Sequence, residues 1–444
     1  MTTFDLTRIH LSDETLREGD ARGYHTHPPG DRIELLRLIH DVTGIKRFST
    51  LFAVVNENDR ETLFAIFEAR RQGAFPADAV PHVASWLQAQ DSALAILAAL
   101  RPEDRKALSF SSATTAGERI ARGADGPWLC ANDGSKDDWK TVPWPELSQR
   151  LARAFHAMTR RYIAAGAEAV DIIVQDAFRC SFADLELFAS AGLEAGGTTL
   201  TLHDTVGTAT PDLVIARMAQ LRERYRGVPI GVHFHNDFGM AAANTVTALA
   251  HGAAGADVTS NGIGNRAGNA PVADVVMALK VLYGAELPGV RYDRLTELAR
   301  AVERHFGLAQ SPFAPITGRL LHLDEASPRT HLMETVAPDT YLPYDPRIVG
   351  GRMEAAHAPS SGKGSVALLV QRHAAELHAA GIEMTPELVE RAYGWVTRER
   401  TARAAHHRPE ALAMMESYER ALRSSYVTDA DILAHAHATA GRFD

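Results

Sequence analysis

Eight short strand-like runs, each followed by an amphipathic segment, fill the first 284 residues, and this alternation constrains the fold more than any other feature. The runs cover residues 9–15, 45–55, 80–85, 107–112, 169–175, 198–204, 228–235 and 256–261. Helical periodicity fills the gaps, at 32–42, 57–71, 147–165, 212–226 and 270–282 among others. Strands separated by helices pair in parallel. Eight such repeats over this length predict a closed (β/α)₈ TIM barrel of the α/β class. A doubly wound open sheet is the rival, but no glycine-rich dinucleotide turn follows the first run.

The rest of the chain reads differently. Residues 291–307 predict a helix, after which Pro312, Pro315, Pro328, Pro338, Pro343 and Pro346 punctuate a stretch with little periodicity. Helical patterns return at 366–380, 386–406 and 409–424, and a last one begins near Asp429 behind a Thr428 cap. The expected organisation is a catalytic barrel over 1–288, a connector over 289–345 and a mostly helical C-terminal module over 346–444. The fourth repeat carries an insert, 123–145, with turn signals at Gly126-Pro127, Asn132-Asp133-Gly134-Ser135 and Pro143-Trp144-Pro145. It reads as a loop on the catalytic face or as a plain surface excursion.

Composition excludes several function classes. The 444 residues carry a formal net charge of −9 and no basic run, which argues against nucleic-acid binding. No apolar stretch approaches a membrane span, and residues 1–8 lack the apolar core of a signal peptide. Two cysteines, Cys130 and Cys180, cannot build a disulfide framework or a zinc-thiolate site. A cytoplasmic protein is the default expectation.

Chemistry concentrates at strand ends. His233 and His235 lie two apart at the end of the seventh run, so both imidazoles project to one side. In a barrel the first, seventh and eighth strands are neighbours, and loops after the strands form the active face. The first run leads into Asp13-Glu14-Thr15-Leu16-Arg17-Glu18-Gly19, and the eighth into Asn261-Gly262-Ile263-Gly264-Asn265-Arg266-Ala267-Gly268-Asn269. A carboxylate, two imidazoles and an amide oxygen can therefore surround one divalent cation. Mixed N and O ligation suits Zn, Mn, Co or Fe, with Mg as a weaker option. Each piece alone has a bland reading: Arg17-Glu18 as a surface ion pair, the glycine loop as a tight turn, Asp204-Thr205 as a helix cap.

Together with His203-Asp204-Thr205-Val206-Gly207, these segments resemble the DRE-TIM metallolyase superfamily, and within it homocitrate synthase and 2-isopropylmalate synthase. The likeness runs through the barrel, patchily in the second to fourth strands, and returns at Tyr344-Asp345-Pro346 and Ser361-Gly362-Lys363. The resemblance implies a Claisen-type condensation of acetyl-CoA with a 2-oxo acid, followed by thioester hydrolysis. It implies metal ligation by Glu18, His233, His235 and Asn269, with Arg17 and Thr205 on the 2-oxo acid and Arg179 as a further substrate contact. The loop carrying Gly262, Gly264, Arg266 and Gly268 would flank the acyl-CoA. A homodimer with its C-terminal region exchanged is also implied. So is the absence, in a chain this short, of the large regulatory domain found in full-length isopropylmalate synthases.

The site also departs from the family pattern. Ala21 stands where the family has glutamine, Gln175 and Asn265 where it has glutamate, and His203 where it has a small residue. The C-terminal catalytic histidine is not cleanly matched, with His322 and His331 in the region. Candidate catalytic positions are Arg17, His203, Gln175 and His322. An unusual 2-oxo acid or acyl donor is one explanation, metal-assisted carbon–carbon cleavage a second, and a catalytically inactive binding subunit a third. Loss of carboxylates at Gln175 and Asn265 points toward a more anionic substrate or a different acyl carrier.

Overall fold

The computed structural model describes residues 4–20, 27–52, 57–132, 138–325, 340–356 and 361–424, with isolated positions between 329 and 337 and between 427 and 435. Ala21 and His331 lie outside the described residues. Eight parallel strands close into a barrel in sequence order: β1 His10–Asp13, β2 Arg47–Phe52, β3 Val80–Trp86, β4 Ser109–Thr115, β5 Val170–Gln175, β6 Thr199–Asp204, β7 Ile230–Phe234 and β8 Gly255–Val258. Closure is made by β1 pairing with β8, Ser12 opposite Asp257 and Asp13 opposite Val258. The expected TIM barrel is therefore the fold. Among the described residues, no helix is long and apolar enough to cross a membrane.

Side chains alternate in and out along each strand, and contacts across the lumen fix which set points inward. Arg47 on β2 reaches Asp171 on β5 at 2.9 Å. Asp171 also accepts from Thr199 and Thr201 on β6. His82 on β3 touches Arg47, Ser109 and Ser111. Counting by twos from these residues, the inward set includes Ala84 and Trp86, Ala113 and Thr115, Ile173 and Gln175, His203, His233 and Asp257. The apolar complement faces the helices: Val83, Phe110, Ile172, Val174, Leu200, Leu202 and Val232 are all buried between sheet and helix layer.

Helix starts follow ordinary capping chemistry. Ser181 accepts from the Asp184 amide, and Thr210 from the Leu213 amide with Pro211 in the first turn. The helix Leu295–Phe306 packs against Pro29–Thr43, so the barrel unit extends to Leu308; a second compact unit begins at Ala309.

Two local expectations are corrected. The 123–145 insert is helical over Gly126–Asn132, and the long helix Trp144–Ala164 starts inside its proline cluster. Proline lacks an amide hydrogen, which the first helical turn does not use, so Pro127 and Pro145 start helices here. Pro409 does not divide the C-terminal region: Pro386–Arg423 is one helix with Pro409 inside it. The surrounding positions are exposed, leaving the carbonyl that Pro409 cannot satisfy open to water.

Candidate metal centre and active site

The seventh strand delivers the two imidazoles as its alternation requires. His233 Nε2 lies 3.4 Å from His235 Nε2 and 3.8 Å from Glu18 Oε1. One donor atom from each of these three residues sits within 4.8 Å of the other two, and all three residues are buried. Burial, and then the Arg17 charge, brings His233 down to about 4; burial, and then His233, brings His235 to about 3. Both rings are thus neutral at physiological pH, with lone pairs free to ligate. Glu18 is held below its ordinary value: burial would raise it, but Arg17 and the two histidines outweigh that effect.

The residues fit a divalent cation on three observations. Two neutral imidazoles face each other through Nε2, an arrangement that a shared positive charge satisfies. His235 Nδ1, His203 Nε2 and Asn269 Oδ1 are buried without a hydrogen-bond partner. Asn269 Nδ2 lies 2.9 Å from His233 Nε2, and turning its amide over would present Oδ1 instead. The loop must also be glycine where it bends around that amide. A Cβ at Gly264 would fall 1.8 Å from Asn269 Oδ1, and one at Gly268 (φ +90°) would fall 1.9 Å from the Gly262 carbonyl oxygen.

Arg17 is buried between two carboxylates. Its Nε pairs with Glu14 and its NH2 with Glu18 Oε1 at 2.9 Å. Burial alone would lower its pKa, but Glu14 and Glu18 more than compensate and hold it charged. Glu14 is fixed in turn by the Ser49 hydroxyl at 2.6 Å. A permanent cation is therefore presented beside the metal ligands in a dry, preorganised setting.

Two residues of this centre were not picked out from sequence. Glu14 is one. Asp257 is the other: its Oδ2 accepts from His233 Nδ1–H at 3.2 Å, leaving Nε2 for the cation. Its signal is a carboxylate at an inward position of a four-residue apolar strand. His203, His233 and Asp257 also bring donor atoms together. However, the two rings stack at 4.2 Å and 17°, and lone pairs in parallel planes cannot converge on one ion. Asp257 is better understood as the group that orients His233. A cavity of about 530 Å³ opens at the opposite, N-terminal mouth and reaches Asp257 from below, away from the chemistry.

The remaining predicted residues are placed as follows. Thr205 accepts from the Asp176 amide through Oγ1 at 2.9 Å. Asp204 accepts from the Thr208 and Ala209 amides in the loop that follows, while Thr210 caps the helix that begins at Pro211, so Asp204-Thr205 is not the helix cap. Arg179 is held by Asp176 at 2.6 and 3.0 Å. Arg266 bonds Asp237 and the Thr205 carbonyl, tying the glycine loop to the strand ends beside it. Asn265 offers Glu18 its backbone amide at 3.4 Å. Gln175 is half-buried at the end of β5. His322 belongs to the second unit, edge-on to Tyr344.

Residues 147–302 match the HMGL-like family. Over 220 residues the chain is 40% identical to a probable 2-isopropylmalate synthase of Methanopyrus kandleri, covering 49% of this chain and 42% of that one. It is 29% identical over 385 residues to homocitrate synthase AksA of the same organism, covering 86% and 85%. The chain thus spans less than half of the first relative and most of the second. An HMG-CoA lyase from Acenitobacter baumannii shares the fold at TM-score 0.53 and 18% identity, over 71% of this chain and 96% of that one. The chain thus carries an HMGL-like match over residues 147–302 and is similar to named 2-isopropylmalate and homocitrate synthases, in keeping with the strand-end motifs on its closed barrel.

Proposed function

We propose that this enzyme condenses an acyl-CoA, with acetyl-CoA the expected donor, and a 2-oxo acid into a 2-alkylmalate or homocitrate-like acid. The observation that carries the reading is the convergence of Glu18, His233 and His235 beside a buried, doubly paired Arg17. Relatives named as synthases across both matches support it.

A divalent cation held by Glu18, His233, His235 and Asn269 would polarise the oxo group as a Lewis acid. Arg17 faces the same oxygen and stabilises the negative charge that develops there as the carbon–carbon bond forms. Its position is set before substrate arrives, because Glu14, Glu18 and Ser49 fix both ends of the ion pair. Thr205 would hold the substrate carboxylate, with Arg179 and Gln175 near the end of β5 as further contacts. A proton leaves the acyl methyl group, the oxo oxygen becomes a hydroxyl, and hydrolysis of the thioester releases free thiol. His203, neutral and with Nε2 unpartnered, is the proposed proton carrier in the barrel, and His322 the one from the C-terminal region. The loop through Gly262, Gly264, Arg266 and Gly268 flanks the acyl-CoA.

We further propose a cytoplasmic homodimer with the C-terminal region exchanged. The helix Pro386–Arg423 leaves Trp395 55% and Met414 67% exposed, apolar surface that a partner would cover. Light scattering should give twice the chain mass; a monomer at working concentration contradicts the exchange.

The HMGL-like match favours one second reading, carbon–carbon cleavage of a hydroxy acid. Both are tested together. Metal-loaded protein should release thiol from acetyl-CoA only when a 2-oxo acid is present. Absence of release with every 2-oxo acid, alongside cleavage of a hydroxy acid, establishes the lyase instead.

A further inference from the structure

The wall of the barrel mouth that faces the metal residues differs in chemistry from the rest of the lumen. The metal side is built by β1, β7 and β8, so β3, β4 and β5 stand across the barrel from it. The inward positions near the C-terminal ends of those three strands are Ala84 and Trp86, Ala113 and Ile173, with Thr115 and Gln175 as the polar rim above them. Ala84, Ala113 and Ile173 form one buried apolar cluster, and the partly buried Trp86 packs against it. Register places Trp86 beside Ala113 and Ala113 beside Ile173, so the cluster is continuous across three strands.

From this wall, and resting on the condensation reading above, we infer that the 2-oxo acid carries an uncharged, apolar distal group larger than methyl. A substrate whose oxo-carboxylate end is held at Arg17 and the metal ligands must project its other end across the mouth, onto this cluster. Two alanines leave space there, and the indole offers a flat face to a branched or aromatic group.

A second carboxylate would find no cationic partner on the same wall. No lysine or arginine occupies an inward position on β3, β4, β5 or β6. Arg47 lies lower in the lumen and is committed to Asp171. Arg179 is committed to Asp176, and Arg266 to Asp237. His82 is driven neutral by burial. An anionic end brought here would lose its hydration without a countercharge. The carboxylates missing at Gln175 and Asn265 suggested a more anionic substrate, but removing negative charge supplies no cation, and below the uncharged rim of Thr115 and Gln175 the wall is apolar.

The test reads binding and chemistry separately. Metal-loaded protein is titrated calorimetrically with pyruvate, its isopropyl and isobutyl homologues, phenylpyruvate and 2-oxoglutarate. Affinity should rise about tenfold or more from pyruvate to the isobutyl homologue, and 2-oxoglutarate should bind on the order of 10²-fold more weakly than that homologue. Ala113→Val should reduce the isobutyl-to-pyruvate affinity ratio at least fivefold, and Trp86→Ala should weaken phenylpyruvate at least fivefold. Preference for 2-oxoglutarate, binding of none of the acids, or ratios unmoved by both substitutions overturns the inference. If the apolar acids bind in this order but none releases thiol from acetyl-CoA, the condensation reading fails while this one stands. If thiol is released fastest with 2-oxoglutarate, the condensation stands and this inference fails.

Discussion

Asp257→Asn isolates the group that orients a metal ligand from the ligand itself. Asp257 Oδ2 accepts the His233 Nδ1 proton at 3.2 Å, both groups are buried, and His233 Nε2 is thereby left to face Glu18 and His235. Asparagine keeps the volume but replaces an obligate acceptor with an amide that can donate, so the ring can take the other tautomer or turn. Removing such an orienting carboxylate commonly weakens metal binding by about 10–100-fold, which converts to roughly 1.4–2.7 kcal/mol. Competition against a chromogenic chelator at fixed pH gives the affinity, and circular dichroism checks that the barrel still folds. Affinity within twofold of wild type, in a folded variant, would refute the role assigned to Asp257.

Three further outcomes follow from the geometry. Arg17→Lys keeps the charge but cannot span Glu14 and Glu18 with a planar fork; kcat/KM should fall by about 10²–10³-fold with metal content unchanged, and an unaffected rate contradicts its role. Gly268→Ala forces a methyl toward the Gly262 carbonyl at φ +90° and should cost roughly 2–3 kcal/mol in urea unfolding; a loss under about 0.5 kcal/mol contradicts that reading of the loop. Asp125 is buried, and burial raises it to about 7, above the value of an unfolded aspartate. The unfolded chain therefore gives up this proton first, so stability present below about pH 4 declines as pH rises toward 7, by up to about 4 kcal/mol. Asp125→Asn should flatten the fall in thermal midpoint between pH 5 and 8, and an identical slope in both proteins contradicts the assignment.

Much of this was legible in the chain because the barrel repeats a simple pattern. Eight apolar runs spaced by helices leave few topologies, and the strands fall within a few residues of where alternation puts them. His233 and His235 were readable because a two-residue spacing on a strand has only one geometric meaning. Asp257 was harder: a lone carboxylate in a strand as short as Gly255–Val258 can be assigned inward only once the register with β1 is known. The helix Gly126–Asn132 was missed because Gly-Pro marks both turns and helix starts, and the choice rests on residues further along the chain. The unbroken helix through Pro409 was missed for a different reason. Exposure there lowers the cost of an unsatisfied carbonyl, and exposure is a tertiary property that no local rule reports.

The central claim is that Glu18, His233 and His235 form one divalent-metal site at the C-terminal mouth of the barrel. Equilibrium dialysis of wild-type protein and of His235→Ala against zinc, manganese and cobalt, read by elemental analysis, tests it most directly. Wild type should retain one ion per chain, and His235→Ala should lose most of it while keeping its fold. Full stoichiometry in His235→Ala, or no bound metal in wild type under any of the three ions, would contradict the account.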